Sequence, residues 1–82
     1  MNLVELTESI VKSIVIDEDA VSVKEFPTDE ENTILIQVII AEQDMGRVIG
    51  KEGRTANAIR TLVQASSQLK DNKYVKINID KF

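Results

Sequence analysis

The sequence has 82 residues, 43% of them hydrophobic and 29% charged, which fits one small globular domain and leaves no room for a catalytic cleft between two domains. It contains neither cysteine nor histidine, which excludes disulfides and thiolate metal sites and removes the commonest general base. The net charge is -4, but residues 1–45 carry eleven acids and two bases, whereas residues 46–60 have a net charge of +3.

The first half of the chain predicts one helix and two strands. Apolar residues recur at helical spacing over residues 2–15, and Asn2 followed by Glu5 resembles a capping box. The expected core stripe of this helix is Leu3, Leu6, Ile10 and Ile14, widened by Val11 and Val15. Alternation predicts a strand over residues 20–26, and a β-branched run predicts another over Thr33–Ile40. The second strand is apolar on both sides, which favours a central position or one covered face.

The second half predicts two helical segments and a last strand. A short helical turn is expected at residues 43–48, a longer helix from Arg54 to about Leu69, and a strand over residues 73–80. The expected core stripe of the longer helix is Ile59, Leu62, Val63 and Leu69. The order α-β-β-α-α-β predicts a single α+β domain over residues 1–82, a three-stranded sheet with helices packed on one face.

The most informative stretch is Gly50-Lys51-Glu52-Gly53, directly ahead of the longer helix. Two glycines at this spacing allow a sharp turn, and the N–H groups and dipole of a helix start favour an anion. Lys51, Arg54 and Arg47 add positive charge, so a phosphate backbone is the natural ligand. Glycines that only end and begin helices are the competing interpretation. Neither a P-loop nor a dinucleotide fingerprint matches the spacing.

Val48-Ile49 before this loop and Ile59-Arg60 after it resemble the signature of KH domains, whose GXXG loop clamps about four nucleotides by their backbone. The element order resembles the bacterial type II KH domain. The chain as a whole resembles the small stand-alone bacterial KH proteins of the KhpA family. This resemblance implies a protein that binds single-stranded RNA and catalyses nothing.

The resemblance also implies roles for individual residues. The expected RNA-binding residues are Arg47, Val48, Ile49, Gly50, Lys51, Glu52, Gly53, Arg54, Ile59 and Arg60. The loop would contact the sugar-phosphate backbone, the apolar residues would line a groove for bases, and the arginines would supply charge. The strand Thr33–Ile40 would form the far wall and present its backbone to base edges. Core packing is the competing interpretation for Val48 and Ile59, and a solvated surface position for each arginine.

Two departures from the KH pattern predict weak binding. Many KH domains have a branched apolar residue three positions after the second loop glycine, where this chain has Ala56. The loop between the first two strands, which flanks the groove in type II domains, contains three acids: Asp29, Glu30 and Glu31. The single tyrosine, Tyr74, lies on the last strand, and no aromatic platform for base stacking is evident. We therefore expect modest affinity and little sequence specificity.

Because a single short groove binds weakly, a dimer, or a pair with a larger Jag-type KH protein, is expected to raise avidity. An RNA chaperone or post-transcriptional regulator fits these features. A protein-interaction module that acts mainly through dimerisation is the alternative. An enzyme is not expected, since Glu42 and Asp44 lack a nucleophile, a base or metal ligands and are more simply a solvated helix start. No cofactor, metal or small-molecule substrate is expected, and the lack of a signal peptide or membrane span predicts a cytoplasmic location.

Overall fold

The computed structural model describes residues 2–82, and its elements follow the predicted order. The helices and strands are α1 (Leu3–Lys12), β1 (Ser22–Pro27), β2 (Thr33–Ile40), α2 (Met45–Ile49), α3 (Arg54–Lys70) and β3 (Tyr74–Lys81). Short 3-10 turns occur at Glu18–Ala20, Glu42–Asp44 and Lys51–Gly53. The predicted α+β fold is confirmed.

Helix α1 begins at the predicted capping box and ends earlier than the sequence pattern suggested. The side chain of Asn2 accepts a hydrogen bond from the N–H of Glu5, and the Glu5 carboxylate accepts one from the N–H of Asn2. The buried stripe is Leu3, Thr7 and Val11, while Leu6, Ile10 and Ile14 are half-buried. A threonine is tolerated in the centre of this stripe because its hydroxyl donates to the carbonyl of Leu3 at 2.8 Å.

The three strands form one mixed sheet with β2 in the middle. Strand β2 is antiparallel to β1 and parallel to β3. One face of β2 is buried in the core through Ile34, Ile36, Val38 and Ile40, while the residues between them are half-buried. The sequence left open a central position or one covered face, and both are confirmed: β2 lies between two strands, and one of its faces is buried.

Helix α3 turns a different side to the core from the one expected. Its buried residues are Ala56, Ile59, Val63 and Ser67. Leu62 and Leu69 are 56% and 88% exposed, so their assignment to the core was wrong. The polar Ser67 is buried instead because its hydroxyl donates to the carbonyl of Lys73 at 2.8 Å and fixes the connection to β3.

A buried carboxylate holds the segment between α1 and β1 against the start of α2. The side chain of Asp44 is fully buried and accepts hydrogen bonds from the N–H groups of Ile16 at 3.0 Å and Asp17 at 3.1 Å. Because both carboxylate oxygens are used in this way, the expectation that Asp44 belongs to a solvated surface was wrong. Glu42 is exposed and pairs with Lys81 at 3.3 Å.

Candidate nucleic-acid interface

The glycine loop joins α2 to α3 through backbone conformations that favour glycine. Gly50 has φ +77° and ψ 173°, and Gly53 has φ +77° and ψ 12°. A Cβ atom on Gly50 would lie 2.8 Å from both the Cβ and the backbone N of Thr55, whereas a Cβ on Gly53 would meet open space. Glu52 adopts φ 57° and ψ 25°, a left-handed conformation that strains a residue with a Cβ. The loop is therefore a tight, defined turn.

Backbone hydrogen bonds close this turn, and no side chain caps the start of α3. The N–H of Gly50 donates to Gly46 O at 2.9 Å, and the N–H of Gly53 donates to Gly50 O at 3.2 Å. The N–H of Arg54 donates to Lys51 O. Gly53, at the cap position of α3, has no side chain to accept from the first N–H groups of the helix. These N–H groups and the helix dipole favour an anion at this end.

The loop cations differ in how strongly they are already paired. Lys51 is exposed, and within residues 2–82 its ammonium group contacts no acid. Arg54 is 3.5 Å from the carboxylate of Glu52, and both side chains are largely exposed. Such an exposed pair contributes little and exchanges readily for another anion. Lys51 and Arg54 therefore provide positive charge at the turn.

The two other predicted arginines lie on the helices that flank the loop. Arg47 on α2 is 3.9 Å from the buried carboxylate of Asp44. Arg60 on α3 donates a hydrogen bond to the side chain of Asn57 at 3.2 Å and is exposed. Neither interaction involves the whole guanidinium group, so each retains N–H donors that face solvent.

The predicted apolar residues of the interface lie mainly in the core. Val48 is 0% exposed and Ile59 is 2% exposed, and both belong to the main hydrophobic cluster. Ile49 is half-buried. The packing interpretation of Val48 and Ile59 describes their position in this structure, and contact of their side chains with a base stays a prediction.

The expectation that β2 presents its backbone to bases was wrong. Both edges of β2 are used in the sheet, one by β1 and the other by β3. Its N–H and C=O groups are therefore already paired along the strand. A central strand has no free edge to which a ligand could hydrogen-bond. The sequence indicated a central position for β2, and that position excludes the role in base binding that was also expected of it.

A groove lies instead between α3 and the edge strand β3. It has a volume of about 490 Å³ and is lined by Arg60, Thr61, Gln64, Ala65, Gln68 and Val75. Of these residues, the sequence had singled out only Arg60. The other lining residues could not be identified from the pattern of residue types in the sequence. The groove forms only because β3 lies at the sheet edge and α3 packs beside it.

The acidic loop between β1 and β2 lies at the start of β3. The N–H of Tyr74 donates to Asn32 O at 2.7 Å, and Glu30 pairs with Lys76 at 2.6 Å. The acids therefore flank the end of β3 where α3 finishes, away from the glycine loop. Because Glu30 is paired with a lysine, part of the negative charge of this loop is locally compensated.

Across residues 2–82, no group of histidine, cysteine, aspartate or glutamate side chains is placed to hold a metal ion. Among the helices of the same residues, none has the length and hydrophobicity that crossing a membrane requires.

Comparison with protein families gives one match over nearly the whole chain. Residues 4–79 match the family described as KhpA/KhpB, KH domain. A protein named RNA-binding protein KhpA from Caldanaerobacter subterraneus is 47% identical over 75 residues, which cover 92% of this chain and 96% of that protein. Proteins of the same name from Clostridium acetobutylicum and Thermotoga maritima are 44% and 37% identical over 75 residues, again covering 92% of this chain, and 96% and 95% of those proteins.

Solved structures of Era share the fold. A crystal structure of Aquifex aeolicus Era bound to GDP and AlF4- superposes with a TM-score of 0.73 at 18% sequence identity, over 98% of this chain. A structure of Era in complex with MgGDPNP and nucleotides of 16S ribosomal RNA gives a TM-score of 0.68, also at 18% identity, over 96% of this chain. The chain spans about 30% of the length of these Era chains, so the likeness concerns one domain and shows the fold alone.

Proposed function

The chain belongs to the KhpA/KhpB KH-domain family, and on this premise we propose that it binds single-stranded RNA through Gly50-Lys51-Glu52-Gly53 without catalysing a reaction. The observation that supports this most directly is the position of Lys51. It is an exposed cation without an acidic partner in residues 2–82, and it lies between two glycines just ahead of an uncapped helix start. Charge, backbone N–H donors and the helix dipole coincide there, as a phosphate requires.

The bases of the clamped nucleotides enter the groove between α3 and β3. Arg60 lies on the wall of this groove, two turns into the helix that begins at the loop. Strand β3 supplies the edge to which base edges can hydrogen-bond, a role that β2 cannot fill. Tyr74 neighbours the groove residue Val75 along the strand and therefore points to the opposite face of the sheet. Without an aromatic platform in the groove, binding is weak and depends little on sequence.

Mutation of the loop tests this proposal. Lys51→Asp combined with Glu52→Asp is expected to lower the affinity for single-stranded RNA at least about tenfold, because acids repel phosphate at the turn. The fold should persist, since both side chains are exposed and aspartate tolerates the left-handed conformation at position 52. Lys24→Glu on the distant edge strand β1 changes the net charge equally and is the matched control. If the double variant folds and binds RNA as the wild type does, the loop is not the clamp.

A dimer, or a pair with a larger Jag-type KH protein, would join two weak grooves and raise avidity. This fits a cytoplasmic RNA chaperone or post-transcriptional regulator. The proposed contact surface is an exposed apolar stripe along α3. Its members lie four and seven residues apart: Ala58, Leu62 and Leu69. Such a spacing forms a continuous seam on one side of a helix.

The same stripe favours the second candidate function, a module that acts mainly through self-association. Light scattering coupled to size-exclusion chromatography distinguishes a monomer from a dimer. Leu62→Gln with Leu69→Gln is expected to shift a dimer to monomer, whereas Ile16→Gln, which alters a similarly exposed side chain outside α3, is the control. A dimer that survives both changes would place the contact elsewhere. Loss of the dimer with full RNA affinity would separate the two functions.

A further inference from the structure

The carboxamide of Gln64 forms two hydrogen bonds with the backbone of the edge strand. Its Nε2 donates to Lys73 O at 3.0 Å, and its Oε1 accepts from the N–H of Val75 at 2.8 Å. In a parallel sheet, one residue of an adjoining strand makes the same two bonds, to the residues before and after its partner. Gln64 therefore takes the position that such a residue would occupy opposite Tyr74.

Gln64 lies in the half of α3 that is remote from the glycine loop. Ser67 joins the last turns of α3 to Lys73, just before β3 begins, so α3 runs antiparallel to β3 and the glycine loop lies at the other end of the helix. Gln64 is roughly 16 Å along the helix from Gly53, given 1.5 Å per residue. Gln64 therefore occupies the edge of β3 near the end remote from the loop, and Gln68 continues the wall of the groove one turn beyond it.

Further backbone groups on the same edge of β3 lie between Gln64 and the loop end. Alternate residues of a strand direct their N–H and C=O groups to the same edge, so those of Ile77 and Ile79 face the same way as the N–H of Val75. In the part of the chain that the structure describes, no strand pairs with this edge. The first outward pair is therefore occupied by a side chain, and the following pairs are available to a ligand.

A carboxamide and a nucleobase edge present the same chemistry to this backbone. Each places an N–H donor beside an acceptor, which matches one C=O and one N–H of the strand. We propose that Gln64 is a specificity-determining residue that limits the number of nucleotides the groove accepts, by holding the Lys73–Val75 backbone pair that a further base would otherwise bind. This inference rests on the proposed RNA-binding function. Gln64 is covalently part of α3, so its carboxamide is always close to this backbone pair, whereas a base must bind from solution. The carboxamide therefore excludes a weakly bound base from this position.

The affinity for RNA oligomers of increasing length tests the proposal. Fluorescence anisotropy with labelled oligouridylates of roughly four to eight nucleotides gives the length at which affinity stops rising. Gln64→Ala is expected to move this plateau to oligomers one nucleotide longer, with a gain of about fivefold from the added hydrogen bonding. A longer oligomer whose terminal nucleotide lacks its nucleobase should not show this gain in affinity. Gln68→Ala is the matched control, because Gln68 lines the same groove one turn further on and forms no hydrogen bond with β3.

A second measurement guards against an indirect effect on the fold. In the wild type, an oligomer longer than the plateau length should leave the amide NMR signal of Val75 where the plateau-length oligomer places it. In Gln64→Ala, the longer oligomer should shift this signal further. Gln64→Asn, whose shorter side chain cannot reach both backbone groups, should behave like Gln64→Ala and replaces it if the alanine variant does not fold.

The outcomes separate this inference from the proposed function. A longer plateau together with a shift of the Val75 amide supports the inference. An unchanged plateau and an unmoved amide in a variant that binds RNA normally would overturn it and leave the RNA-binding function standing, with Gln64 only protecting the sheet edge. Wild-type protein that binds no oligomer, and does not respond to the loop double variant, would overturn both.

Discussion

At the residue scale, the two loop glycines differ in what a side chain would meet. Gly50→Ala would bring a Cβ against Thr55 and keep a φ and ψ combination that is nearly restricted to glycine, so a loss of about 3 kcal/mol in the free energy of unfolding is expected. Gly53→Ala carries only the left-handed strain, about 1 kcal/mol. Urea denaturation of both variants measures the difference.

Gly46→Ala is the control for these two changes. Gly46 lies in α2 with open space around its Cβ position, so alanine there should stabilise the protein by roughly 0.5–1 kcal/mol. Equal losses for Gly50→Ala and Gly53→Ala would show that the contact with Thr55 does not determine the turn.

Glu52 combines backbone strain with an unfavourable charge. Glu52→Asn should raise the free energy of unfolding by about 0.5–1 kcal/mol, because asparagine adopts the left-handed conformation more readily. It should also raise RNA affinity about threefold, since an acid is removed beside the clamp and Arg54 is released from it. Chemical denaturation and fluorescence anisotropy give the two values.

Glu31→Asn is the comparison for Glu52→Asn. It removes the same charge from an exposed site with no positive φ, so it should leave stability unchanged and affect affinity less. If both variants behave alike, the strain and the position of Glu52 have no particular importance.

At the scale of elements, Asp44 connects the segment between α1 and β1 to the start of α2. Asp44→Ala would leave the N–H groups of Ile16 and Asp17 without their acceptor, and a loss of about 3 kcal/mol is expected from two unsatisfied donors. Glu42→Ala, which breaks only an exposed ion pair with Lys81, should stay within about 0.5 kcal/mol. Thermal unfolding of the two variants compares them. A small effect of Asp44→Ala would mean that water replaces the carboxylate.

The element order could be predicted from the sequence because hydrophobic periodicity and the glycine punctuation are local signals. The orientation of α3 could not, because Leu62 and Leu69 have a helical spacing as regular as that of the true core residues. Ser67 enters the core only through its bond to Lys73, a tertiary contact that no local pattern reveals. The residues of the glycine loop could also be recognised from the sequence, because their signal is local. The groove could not, because it depends on which strand lies at the sheet edge.

At the scale of the whole molecule, an acidic protein presents a local basic site. The first half of the chain carries most of the acids, and the loop region carries a net positive charge. Two ion pairs, Glu30 with Lys76 and Glu42 with Lys81, neutralise part of this charge locally. The long-range field is therefore weakly repulsive for RNA, and attraction depends on short-range contacts at the loop.

This charge distribution predicts how RNA binding responds to salt. Four cations lie at the loop and groove: Arg47, Lys51, Arg54 and Arg60. For single strands each phosphate contact contributes about -0.7 to the slope of log K against log salt concentration, so the slope should lie between about -1 and -3. Lys51→Ala should reduce its magnitude by about 0.7, while Lys24→Ala, on the far edge strand, should not change it. A slope near zero, or one indifferent to Lys51, would show that affinity does not come from phosphate contacts at this turn.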